Sequence, residues 1–238
     1  MPIPIRDRGY SHPELLAETV WLASRLSDPS VRVVDARSDK DYAAGHIPGA
    51  VHINGFSLGG IRPAPEMPEP EAFAHLVGAL GIDERTSVVV YDAGRRSQMA
   101  GMTAWTFLYY GHPDIRYLDG GLAKWTAEGL PLSNDAPAHA PRTFAARLVE
   151  GVYCSLDQAK AVVDDDGVVL WDVRTIGEFE GTTAGWNPPP RLGHLPGAIH
   201  LEYIELFDAD SGTLKPAAEL TALLEAKGIT PEATVTTY

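Results

Sequence analysis

Two hydrophobic periods alternate along the chain. Leu15, Thr19, Leu22 and Leu26 recur at i, i+4, i+7 and i+11, the spacing of one helical face. Ser11-His12-Pro13-Glu14 reads as a capping box in front of that helix. Val31–Val34 is a β-branched run ending at Asp35, as expected of a strand buried on both faces. Glu71–Leu80 predicts a helix and Ser87–Tyr91 a strand, followed by a helix over Gln98–Tyr110, a strand over Ile115–Leu118 and a helix around Trp125. Strands alternating with helices predict an α/β fold built on a parallel sheet flanked by helices.

The pattern occurs twice. Val33-Val34-Asp35-Ala36-Arg37 and Gly45-His46-Ile47-Pro48-Gly49-Ala50-Val51-His52 match Leu170-Trp171-Asp172-Val173-Arg174 and Gly193-His194-Leu195-Pro196-Gly197-Ala198-Ile199-His200. Gly81-Ile82-Asp83, leading to Val88-Val89-Val90-Tyr91, matches Gly228-Ile229-Thr230, leading to Val235-Thr236-Thr237-Tyr238. Ser155-Leu156-Asp157-Gln158 supplies a second capping box, matching the first. Ordered matches of this kind indicate a duplicated domain. The expected division is a first domain over 1–133, a linker over 134–142 that is rich in Pro and Ala, and a second domain over 143–238.

Asp-x-Arg closing a strand, Gly-His-x-Pro-Gly-Ala, the Val-Val-Val-Tyr strand and Leu118-Asp119-Gly120-Gly121 with Trp125 together resemble a rhodanese domain. Two copies resemble the tandem thiosulfate and 3-mercaptopyruvate sulfurtransferases. The resemblance implies that the first copy is catalytically silent and that the second carries a cysteine nucleophile directly after the strand ending in Tyr238. Such a thiolate takes up sulfane sulfur as a persulfide and is stabilised by converging backbone N–H groups and a helix N-terminus. In the first copy the same position holds Asp92, which cannot carry sulfur. No cofactor is implied.

The remaining candidates divide between substrate binding and fold maintenance. The second copy carries an insertion, Thr182–Arg191, stiffened by three prolines. It presents Arg191 beside the Gly193 turn, and similar enzymes place substrate-binding arginines in a longer loop here. Arg191 and Arg174 are therefore the candidates for gripping a small anionic sulfur donor. Asp35–Arg37 and Asp172–Arg174 are expected to pair at the strand ends, with His46 and His194 anchoring turns. Glu178, Met102 and Leu108 stand where relatives commonly have arginines, whereas Arg95-Arg96 lie in the silent loop and are expected to face solvent. The single cysteine, Cys154, precedes the N-cap Ser155 and reads as a packing residue. The histidines lack metal-ligand spacing.

Charge narrows the partners. With 19 basic and 32 acidic residues the net charge is −13, which disfavours nucleic acid and anionic membranes alike. No apolar run reaches the length of a membrane span, the start lacks a secretory core, and a lone cysteine fits a reducing cytoplasm. The acceptor would be cyanide or a thiol. Two alternatives remain open: a non-catalytic rhodanese-fold scaffold, in which neither copy has a cysteine, and a related cysteine phosphatase, which tandem duplication disfavours.

After Tyr91 the first copy runs on through a helix, a strand and a further helix to Pro131. By analogy the natural protein is expected to continue for roughly 40 residues past Tyr238. Intact-mass measurement of the native protein should then give clearly more than 25.6 kDa, and a well-folded native protein of 25.6 kDa would overturn the expectation.

Overall fold

In a computed structural model of the chain, the residues described are 2–55, 58, 67–94, 98–163, 165, 167–185 and 191–238. Arg95-Arg96 and the prolines of the insertion lie outside them. The chain divides into two units, Met1–Val152 with Ala209–Thr213, and Tyr153–Asp208 with Leu214–Tyr238.

The first unit holds a five-stranded sheet in the order β1-β5-β4-β2-β3: Leu16–Ala17, Ile115–Leu118, Ser87–Tyr91, Val31–Asp35 and Val51–His52. Every pairing within it is parallel. Alternate residues of β2 feed two cores. Val34 joins Phe73 and Val77 of α3 (Pro70–Ala79) and Phe107 of α4 (Met99–Tyr109). On the other face, Val31 and Val33 join Leu22 of α1 (Thr19–Ala23) and Trp125 of α5 (Gly121–Ala127). Helices on both faces explain why all five residues of β2 are buried. A further short helix, α2 (Asp39–Ala44), is capped by Ser38, whose side chain accepts from Asp41 N–H.

The start of the chain departs from its pattern. Ser11 caps nothing: Pro13–Leu15 is a single 3₁₀ turn, Leu16–Ala17 pairs with β5, and α1 begins only at Thr19. Leu15 is exposed, whereas Thr19 and Leu22 are buried. Sheet pairing beats helical periodicity here because the edge of β5 offers backbone partners that an isolated helical turn cannot match.

The first unit also extends past 133. Ser133 and His46 form an isolated bridge, and Asn134 donates to Ala43 O at 2.8 Å. Arg142 N–H donates to Gly78 O, and Arg147 and Val149 N–H donate to Tyr110 and Tyr109. Phe144 is buried against Phe73, with ring centroids 6.0 Å apart. The 134–142 stretch thus straps the first unit, and 143–152 belongs to it as well.

The second unit repeats half of the first. Its sheet order β7-β6-β8 (Ile199–His200, Val168–Asp172, Thr234–Thr237) mirrors β3-β2-β4, again with parallel pairing. The helices are α6 (Leu156–Val162), α7 (Ile176–Glu180) and α8 (Ala217–Glu225). The capping box at Ser155 is present as expected, with Gln158 returning the hydrogen bond.

Gly78 offers a test of the strap. A Cβ built there would stand 2.5 Å from the Arg142 carbonyl oxygen. Alanine ordinarily favours a helix interior by roughly 1 kcal/mol over glycine. Here Gly78→Ala should instead lower stability by about 1–3 kcal/mol, because strap or helix must move. An unchanged or raised melting temperature would show that the strap is loosely held.

Candidate functional site

Both copies build the same clamp at the carboxyl ends of their central strands. In the first, Asp35 is fully buried at the end of β2. Arg37 Nε donates to its Oδ1 at 2.9 Å and Nη2 to its Oδ2 at 2.5 Å, while Nη2 also donates to Gly45 O at 2.7 Å. Tyr91 Oη donates to Asp35 Oδ2 at 2.5 Å and accepts from Ile47 N–H at 3.1 Å. In the second, Arg174 Nε and Nη2 donate to Asp172 at 3.0 and 2.5 Å, and Nη2 donates to Gly193 O at 2.9 Å. Tyr238 Oη accepts from Leu195 N–H at 2.9 Å. The Arg37 and Arg174 guanidiniums lie 5.7 and 5.3 Å from the Tyr91 and Tyr238 ring centroids.

Electrostatics fix the charge states of Asp172, Arg174 and the two tyrosines. Burial alone would raise the Asp172 pKa, but hydrogen bonds from the Arg174 side chain and backbone N–H outweigh it and hold the carboxyl below its ordinary value. The bond to Asp172 raises Arg174. Burial, followed by the nearby Asp35 carboxylate, pushes the Tyr91 phenol strongly upward; burial raises Tyr238 too. Both tyrosines are therefore protonated donors at neutral pH.

The histidines belong to the same frame. His46 stacks on Tyr42 at 4.1 Å and His194 on Phe179 at 3.8 Å. Their Nδ1 atoms meet the Tyr42 and Phe179 carbonyls at 3.1 and 2.7 Å. His52 and His200, which close the repeated motif but were given no role from the sequence, bind the Arg37 and Arg174 carbonyls through Nε2 at 2.8 Å each. Their signal was present, since both directly follow the Ala-Val/Ile that ends the turn motif in each copy. Among the described residues no group of three His, Cys, Asp or Glu could hold a metal ion.

Beyond the clamp the first copy carries Asp92, fully buried. Its Oδ1 accepts from Gly94 N–H at 2.9 Å and its Oδ2 from Ala100 N–H at 2.8 Å, in the first turn of α4. A carboxylate thus occupies the point where backbone donors and a helix N-terminus converge.

The remaining candidates are scattered. Arg191 is exposed and forms no hydrogen bond or ion pair with another described residue. Glu178 closes a capping box with Thr175, accepting from its N–H at 3.2 Å. Cys154 is half-buried, with Sγ 3.7 Å from Ser155 O.

Comparison with known proteins agrees with this frame. Residues 18–128 match the rhodanese-like domain. The chain is 34% identical to the sulfur carrier protein TtuD of Thermus thermophilus, over 97% of this chain and 84% of that one. It is 33% identical to a thiosulfate sulfurtransferase of Corynebacterium glutamicum, over 93% of this chain and 76% of that one. The crystal structure of SseA from Escherichia coli, described with the rhodanese fold of the 3-mercaptopyruvate sulfotransferases, superposes with a TM-score of 0.82 at 26% identity, covering 94% of this chain and 87% of that one.

Arg174→Ala isolates the role of the clamp. It leaves the buried Asp172 without its main partner and should destabilise the second unit by about 2–4 kcal/mol at pH 7. The sign with pH follows from the shift. In the parent, the depressed Asp172 pKa adds stability above the unfolded carboxyl value, and that stability is lost as pH falls through the folded value. In the variant, burial without the guanidinium raises the folded pKa, so protonation relieves the strain. The gap between the two proteins should narrow from pH 7 to pH 4 in thermal melts, and a widening gap would refute the assignment.

Proposed function

The chain belongs to the rhodanese family of sulfurtransferase enzymes, and from that premise we propose that it moves sulfane sulfur from thiosulfate or 3-mercaptopyruvate to a thiol or cyanide through a cysteine persulfide. The observation that carries this reading is the equivalence of Tyr238 with Tyr91: each closes the same clamp, on Asp172 and Asp35 respectively. A residue after Tyr238 would be in register with Asp92, at a strand end suited to an anion.

In this reading a thiolate at that position attacks the outer sulfur of the donor. With thiosulfate the S–S bond breaks and sulfite leaves with the electron pair; with 3-mercaptopyruvate, whose thiol sulfur is attacked, the C3–S bond breaks, its electron pair leaves on the enolate of pyruvate, and that carbon takes the proton the thiol gives up. The acceptor then attacks the terminal sulfur of the persulfide and the thiolate returns. The clamp holds the turn at Gly193–Leu195 through Arg174 and Tyr238, so that it acts as a strut beside the substrate. Arg191, exposed and uncommitted to the described residues, is the guanidinium assigned to the donor anion. Arg174 reaches the donor less readily, because two of its nitrogens are already committed to Asp172. The net charge of −13 disfavours nucleic acid and anionic membrane as partners, and a small anionic donor needs local guanidiniums such as Arg191 to override that field.

Arg191→Ala should lower kcat/KM for the donor half-reaction about 10- to 150-fold, equivalent to roughly 1.5–3 kcal/mol, while leaving the melting temperature nearly unchanged. Cys154→Ser should leave turnover within about twofold, because its thiol packs at a helix start. Steady-state kinetics of the intact protein with each donor, beside mass spectrometry for a bound sulfur atom, test both. Unchanged kcat/KM for both donors in Arg191→Ala removes that residue from the site; loss of the bound sulfur in Cys154→Ser makes Cys154 the nucleophile.

A further inference from the structure

Arg32 is the second residue of β2, and the strand registers make Val169 of β6 its counterpart in the second sheet. The fold accepts an aliphatic side chain there, so the guanidinium is not a requirement of the sheet. It is nonetheless 7% exposed. Nη1 lies 2.7 and 2.9 Å from the two ring nitrogens of His139, and a neutral ring can accept through only one of them. Nη2 reaches the Gly81 carbonyl at 3.4 Å, and Nε–H has no acceptor. No carboxylate among the described residues pairs with it. Buried cations are ordinarily paired, because an uncompensated one is costly.

The surroundings add positive charge. Burial, and after it the charge of Arg142, lowers the Arg32 pKa; burial and then Arg32 lower that of His139, which leaves its ring neutral. A cavity of about 370 Å³ opens between Leu26–Pro29 and the strap at Ala138–Arg142, lined by Arg32, His139 and Arg142. Its one acidic lining residue, Asp28, is turned to Ser30, accepting from the backbone N–H at 2.9 Å and the hydroxyl at 2.6 Å. Arg142 is partly engaged with Asp83 at 3.2 Å. The close approach is built in at Gly81, which adopts φ +75°. A Cβ there would stand 2.9 Å from His139 Cβ and 3.3 Å from Arg32 Nη2.

We propose that this cavity is an oxyanion site, in which Arg32, with Arg142 and the His139 ring, takes a doubly charged phosphate-type group, either free phosphate or the phosphate of a small ester. It lies toward the amino end of β2, away from the clamp at Asp35, and it stands independently of the sulfur-transfer reading. An anion supplies the missing counter-charge and uses guanidinium donors left over by His139 and Gly81.

Isothermal titration of the intact protein with inorganic phosphate and with glycerol 3-phosphate, at ionic strength held constant by chloride, tests the site. Arg32→Met should weaken binding at least about tenfold. Without anion its melting temperature should equal or exceed that of the parent, since an uncompensated buried cation has been removed. His139→Ala, which keeps the guanidinium, should weaken binding about threefold or more. Tighter binding of the ester than of phosphate assigns the site to a phosphorylated metabolite, and the reverse assigns it to the free ion. Absence of phosphate binding, binding unaffected in both variants, or a marked loss of stability in Arg32→Met would each overturn the proposal.

Discussion

Asp35 and Asp172 are wholly out of water, and a carboxylate in that position is tolerated only when donors surround it. Each copy draws those donors from two stretches of chain and ties them to a third. The arginine two residues on supplies a fork, the tyrosine at the end of the neighbouring strand supplies a hydroxyl, and the same arginine ties the arrangement to the glycine of the turn motif. Strand end, adjacent strand and turn are thereby locked around one buried charge. The turn that borders the site is tied to that charge at Gly45 and Ile47, and in the first copy Ile47 and Ala50 also pack into the core.

Much of this was legible in the sequence, because the clamp is written in short range. Asp-x-Arg is two residues apart, the strand runs are β-branched, and the duplication shows which features recur. The helices Pro70–Ala79 and Met99–Tyr109 follow their periodicity to within a residue or two. What the sequence hid was long range. Leu15 fits a helical face, but Leu16–Ala17 can gain a sheet partner in β5, which no local pattern reveals. The join between the copies looked like a linker, yet Arg142 N–H bonds to Gly78, and Phe144 fills an aromatic cluster with Phe73 and His112. A segment poor in periodicity can still be fixed when its backbone meets the orphan groups of helices already in place.

The site itself was legible in part. The pairing roles of Asp35, Arg37, Asp172 and Arg174 and the anchoring roles of His46 and His194 follow from their recurrence in both copies. The repeat shows that His52 and His200 recur but not what they hold, the Arg37 and Arg174 carbonyls, which lie 15 and 26 residues away along the chain. Arg32 escaped for the opposite reason: it appears in one copy only, so the repeat offers no hint of it.

Asp92 turns the first copy into something other than an empty duplicate. Its carboxylate is tethered beside the Gly94 and Ala100 amides. A tethered anion competes at an effective concentration set by geometry, of millimolar order or well above, and it cannot diffuse away. A free anion at ordinary cellular levels would have to displace a neighbour that never leaves. The Gly94 and Ala100 amides of the first copy are therefore occupied from within the chain, whatever the concentration of free anion.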